Sequence, residues 1–95
     1  VNDVTGTSGT FYLIDVNNAR SQVMYLKLYD AATATAGTTV PDWIFEIPNG
    51  TRRIFSFPDG ISFTNLTYSS VQEDGTGGTT ALSGGSAATL YIVTA

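Results

Sequence analysis

Eight carboxylates, Asp3, Asp15, Asp30, Asp42, Glu46, Asp59, Glu73 and Asp74, are the residues of this chain best equipped for chemistry. Two carboxylates facing one cleft can hydrolyse a glycoside with no other catalytic side chain. They would have to work unaided, because the sequence contains no Cys and no His. That composition removes thiol and imidazole catalysis, disulfides, haem ligation and the usual zinc sites. The carboxylates' positions argue against catalysis as well. Most fall at strand ends or turns, where Asp accepts hydrogen bonds from its own backbone. Glu46 lies on the solvent face of its strand. Asp15-Val16-Asn17-Asn18 spaces oxygen ligands as some calcium loops do, but the following Gly and the bidentate Glu are missing. An Asx-turn ending a strand is the better reading. No enzymatic activity, cofactor or metal is expected.

The other polar groups are sparse. Ser69-Ser70 and the remaining hydroxyls have no base of the His type. Lys27 stands alone among apolar neighbours, as a snorkelling strand lysine does. Arg52-Arg53 is the only basic doublet; it reads as a solvated strand edge or as a contact with an acidic partner. Trp43 with Tyr12, Tyr25, Tyr29, Tyr68 and Tyr91 could build a sugar-stacking platform, although alternating strand aromatics usually pack a core. Asn49-Gly50-Thr51 and Asn65-Leu66-Thr67 match the glycosylation pattern no more often than chance allows. The net charge of −4, with four basic residues in all, leaves no footprint for nucleic acid or anionic lipid. No apolar run approaches the roughly 18 residues needed to span a bilayer, and the N-terminus lacks the pattern of a signal peptide.

Short strands must position these groups. Phe11–Val16 is a compact apolar run ended by Asn17-Asn18, and its aromatic content suggests a strand buried on both faces. In Val23–Tyr29, Met24, Leu26 and Leu28 point one way, and Val23, Tyr25, Lys27 and Tyr29 the other. The Ala/Thr stretch up to Val40 reads as a loop crossing between sheets. Pro41-Asp42 opens a strand with Trp43, Phe45 and Ile47 on one face. Pro48-Asn49-Gly50 and Pro58-Asp59-Gly60 carry the chemistry of tight turns, with Pro fixing φ and Gly free to adopt positive φ. Between them Arg53, Phe55 and Phe57 share a face. Ile61–Thr64 and Leu66–Val71 read as one bent strand or two short ones, and Leu90–Val93 as the last. The expected architecture is all-β: a small β-sandwich, jelly-roll or immunoglobulin-like, of six to seven strands. It divides into an N-terminal arm over residues 1–10 and a single domain over 11–95.

Thr, Ser and Gly fill 33 of the 95 positions. They concentrate in the arm, the 30–40 segment and the Gly-rich stretch 73–87, and they dilute the core. A chain this small, without disulfide or metal, commonly gains stability by packing against copies of itself or a larger partner.

One progression carries a family likeness. Tyr25-Leu26-Lys27-Leu28-Tyr29-Asp30, then Gly37-Thr38-Thr39-Val40-Pro41-Asp42, Pro48-Asn49-Gly50 and Phe57-Pro58-Asp59-Gly60-Ile61-Ser62-Phe63 follow in order. This resembles small all-β virion proteins of tailed bacteriophages, which carry a KLY(D/N), GT(T)xP, PxG, F, G succession. The resemblance covers residues 23 to 80 and rests on strand- and turn-forming positions, so no functional residue is carried over. It implies a non-enzymatic structural role at the capsid surface: a decoration or cement protein bound to the major capsid protein or another virion protein, and a homo-oligomer. The expected contacts are Val1, Asn2 and Val4 of the arm, the Arg52-Arg53 doublet, and Gly77, Gly78 and Gly84 of the Gly-rich stretch. The competing expectation is a carbohydrate- or receptor-binding module of a tail fibre or adhesin, which requires an exposed aromatic shelf including Trp43.

Overall fold

The computed structural model describes the backbone of residues 2–5 and, in full, residues 8–79 and 89–94. Seven strands occur among them: β1 (Asn2–Thr5), β2 (Gly9–Asn18), β3 (Met24–Tyr29), β4 (Trp43–Ile47), β5 (Thr51–Phe63), β6 (Leu66–Val71) and β7 (Thr89–Thr94). They form two antiparallel sheets, one ordered β1-β6-β3-β4 and the other β5-β2-β7. The chain is an all-β sandwich.

Alternation in the sequence builds the shared core. Met24, Leu26 and Leu28 face inward from β3, opposite Ile47, Phe45 and Trp43 of β4. Phe11, Ile14 and Val16 of β2 meet them from the other sheet, and Phe63 and Leu66 complete the buried cluster. Each fully buried aliphatic side chain of this kind contributes about 1.5–3 kcal/mol. Aromatic edges close the β4–β5 side. Phe11 meets Trp43 edge-on at 5.4 Å and Phe57 at the same separation, while Phe45 lies 4.7 Å from Phe55.

Four expectations change. β2 is covered on one face only: Tyr12 and Asn17 are exposed, whereas Phe11, Ile14, Val16 and Asn18 are buried. The strand buried on both faces is β3: its outer residues Lys27 and Tyr29 are also buried, and the segment around Gly75 lies over Lys27. The 30–40 segment does not cross between sheets. It closes the β3–β4 hairpin, with Thr38 and Thr39 N–H groups donating to the Thr35 carbonyl and Gly37 at φ +88°. Within the span 1–10 read as an arm, most of the described residues lie in strands. Asn2–Thr5 pair with β6, and Gly9-Thr10 already belong to β2.

Pro58-Asp59-Gly60 does not separate two strands either. Phe11 pairs with Ile61 and Leu13 with Ser56, so residues 57–60 bulge from β5 opposite Tyr12 alone. Such a bulge resets the alternation. It lets Phe11 and Ile14 both face the core although they stand three residues apart. Gly60 has φ +74°, and a Cβ there would run into the Thr10 and Tyr12 side chains.

The β5–β6 corner between sheets spans only Thr64 and Asn65. The Asp30 carboxylate holds it: Oδ1 accepts the N–H of Thr64 at 2.7 Å and of Asn65 at 3.1 Å. The Asp30 N–H donates in turn to Asp42 Oδ2 at 2.7 Å, and the Asp42 N–H to the Leu28 carbonyl. Asp30→Ala is expected to cost about 1–2 kcal/mol in urea unfolding, since two corner amides lose their acceptor. Asp30→Asn, which keeps Oδ1, should cost less than half as much.

Candidate functional site

Four of the carboxylates, Asp15, Asp30, Asp42 and Glu46, make hydrogen bonds within the sandwich. Asp30 and Asp42 serve backbone amides, as the turn reading anticipates. Glu46 is exposed and accepts from the Tyr25 hydroxyl at 3.4 Å. Among the described residues no three Asp or Glu side chains group as a metal site would require. The Asp15–Asn18 segment ends β2 as an Asx-turn: Asn18 Oδ1 accepts the Arg20 N–H at 3.1 Å. The Asn18 amide, fully buried, donates to the carbonyls of Gln22, Ile47 and Pro48. It ties the β2–β3 loop to the β4–β5 turn and leaves no open ligand position.

The basic doublet divides. Alternation along β5 sends Arg52 and Arg53 to opposite faces. Arg52 grips Asp15 through two bonds, Nε to Oδ1 at 2.9 Å and an η-nitrogen to Oδ2 at 2.5 Å. Arg53 is exposed and forms no ion pair among the described residues. The Arg52 hydrogen bond, opposed by desolvation and aided to a lesser degree by the guanidinium charge, lowers the Asp15 pKa from 3.8. Because the folded value is depressed, the pair's contribution is fully present above 3.8 and disappears as pH falls through the lowered value. In Arg52→Ala the Asp15 carboxyl should titrate close to 3.8, which side-chain carbonyl NMR would follow. An unchanged midpoint would show that the pair does not persist in solution.

Lys27 is not the snorkelling residue expected from its neighbours. It is 1% exposed, on the outer face of β3, under the segment 72–79. Its Nζ donates to the Gly75 carbonyl at 2.5 Å and the Gly78 carbonyl at 3.3 Å. Those carbonyls are ends of one tight turn, since the Gly78 N–H donates to the Gly75 oxygen. A Cβ on Gly78 would strike the Glu73 side chain, so glycine is needed for the turn to sit this close. Beside Lys27, Tyr29 and Ser69 share a buried hydroxyl–hydroxyl bond of 3.0 Å. The Gly-rich segment is therefore clasped by its own sheet, at least as far as residue 79. Lys27→Met should leave the sandwich folded but release this turn. Cleavage after Glu73 or Asp74 by a Glu/Asp-specific protease is expected to speed up about tenfold or more, the loss of hydrogen bonds from a charged donor being worth about 1.5–3 kcal/mol.

The expected contact residues do not converge. Asn2 and Val4 lie in β1, with Val4 at an irregularity in its pairing with β6. Arg52 and Arg53 lie on the other sheet. Gly77 is exposed and Gly78 half-buried on the Lys27 turn. Val1 and Gly84 lie outside the described residues. Trp43, the main residue of the expected sugar shelf, is half-buried with its ring edge-on to Phe11.

An apolar surface that the sequence reading missed lies on the outside of β5-β2-β7. Asp15 pairs with both Ile54 and Tyr91, and Leu13 with both Ser56 and Val93, so these side chains share one face. Ile54 is 56% exposed and Tyr91 65%, and Val93 is exposed as well. The only charges among these rows are the mutually neutralising Asp15 and Arg52. The signal was present in Ile54, Tyr91 and Val93, but alternation alone does not say which face is inward. Between the sheets, a cavity of about 150 Å³ is lined by Val16, Met24, Leu26, Tyr68, Ser70, Thr89 and Leu90. That is below the roughly 300–1,000 Å³ of small-molecule sites. Among the described residues the apolar face of β5-β2-β7 is the largest exposed grouping of apolar side chains named by the strand pairing. Comparison of the chain with protein-family models, curated proteins and solved structures finds no match.

Proposed function

We propose that this chain is a non-enzymatic structural protein of a tailed-phage virion, a capsid decoration or cement protein that sits on the capsid surface and braces the major capsid protein lattice. The observation that supports this reading most is the exposed apolar face of β5-β2-β7, centred on Leu13, Ile54, Tyr91 and Val93. Apolar side chains gathered on one exposed face mark a protein–protein contact far more often than a catalytic surface. The family likeness of residues 23–80 supplies the kind of partner. A face of three strands makes one contact of limited area with each partner. Repetition over many equivalent lattice positions would convert weak binding into firm attachment.

The test is co-sedimentation with capsids of the phage whose genome encodes the chain, with and without Ile54→Asp. Ile54 is exposed, so the variant should fold normally while binding falls at least tenfold. Failure of the wild-type chain to sediment with capsids would overturn the reading, and undiminished binding by Ile54→Asp would remove this face from it.

A further inference from the structure

The four strands at the sheet edges are not alike. β1 contains Asp3. β4 carries Glu46 and runs between Pro41-Asp42 and Pro48. β5 carries Arg52, Arg53, Pro58 and Asp59 and is interrupted by its bulge. Charge, proline and bulges are the devices by which natural sheets prevent their edges from pairing with other chains. β7 has neither charge nor proline, and the one register shift in its ladder, opposite Val93 and Thr94, puts the extra residue on β2. Thr89-Leu90-Tyr91-Ile92-Val93-Thr94 contains no charged residue, no Pro and no Gly, and its types favour strand throughout. One side of β7 is hydrogen-bonded to β2, and among the described strands nothing pairs with the other.

We infer that the free edge of β7 pairs antiparallel with β7 of a second copy of this chain, joining two three-stranded sheets into one of six. The sequence is self-complementary for this arrangement. With Ile92 opposite its own symmetry mate, Tyr91 of each copy faces Val93 of the other, and Leu90 faces Thr94. Cross-strand pairs of an aromatic with a β-branched residue are among the favourable ones, and the two-fold axis forms each pair twice. Leu90 and Ile92, half-buried at the open margin of the sandwich beside the inter-sheet cavity, gain cover from their counterparts. Two molecules of net charge −4 also meet here along a strip that carries no charge. The joined sheet presents the apolar outer faces side by side, which doubles the surface available to a lattice.

This inference deepens the virion reading and rests on it for the expectation that copies lie close together. An edge contact of six residues per chain falls in the smallest interface class, below about 1,200 Å², so a dissociation constant in the micromolar range or weaker is expected. Sedimentation velocity on the full chain from about 10 μM to about 1 mM should show a concentration-dependent dimer. Tyr91→Lys combined with Val93→Lys sets like charges directly opposite each other twice and should weaken the dimer more than tenfold. Tyr91→Lys combined with Val93→Glu sets opposite charges there and should preserve it. Both positions are exposed, and the second variant controls for folding in the first, with circular dichroism and thermal unfolding confirming both. The proposal is overturned by a wild-type chain that stays monomeric at about 1 mM, by a Lys/Lys variant that dimerises like wild type, or by a Lys/Glu variant that does not dimerise. Capsid co-sedimentation is read separately on the wild-type chain, without the β7 substitutions, so failure of this pairing is distinguishable from failure of the virion reading.

Discussion

Five of the six successive connections carry the chain from one sheet to the other, and only β3–β4 stays within a sheet. Every such crossing takes backbone amides out of a ladder and brings them near an apolar core, where an unpaired group is costly. Asn18 and Asp30 answer this constraint. The Asn18 amide, with no exposure to solvent, gathers three carbonyls from two crossings. The Asp30 carboxylate gathers two amides at a third. These two side chains supply partners to backbone groups that the crossings take out of the ladders.

The same constraint accounts for the placing of two of the carboxylates. Asp30 and Asp42 sit where the chain turns, and each accepts backbone N–H groups there. The outer side of β5-β2-β7 is left with its apolar side chains exposed. The four-stranded sheet keeps less of its outer side open. Over β3 that side is closed by the Gly75–Gly78 turn held by Lys27, and Tyr29, Thr67 and Ser69 beside it are buried too. The sandwich thus presents two very different exteriors.

Much of the fold was legible. The alternation in β3 and β4 specified the inward residues correctly, because Met24, Leu26, Leu28 and Trp43, Phe45, Ile47 are large apolar side chains at period two. Pro48-Asn49-Gly50 announced its turn, and Gly50 does adopt φ +62°. β1 was hidden because a four-residue polar strand has no apolar face to read; its place is set by pairing with β6 alone. The bulge at 57–60 was hidden because Pro-Asp-Gly uses the same chemistry to end a strand as to interrupt one. Burial of Lys27 was illegible for a different reason. Its partners lie 48 and 51 residues away, beyond any local pattern. The contact surface escaped for want of a second sheet to orient the first: the residues of β7 alternate, but sequence does not say which side is covered.

The clasp over β3 has one more consequence. Lys27 is the only lysine in the chain, and its amine is sealed beneath Gly75 and Gly78. The folded protein therefore offers acylating reagents and lysine-modifying enzymes no side-chain amine at all. Any modification at that position must wait for the turn to lift. The rate at which a small amine-reactive probe reaches Lys27 then becomes a clock for the opening of one face of the sandwich, read in the unaltered molecule without a single substitution.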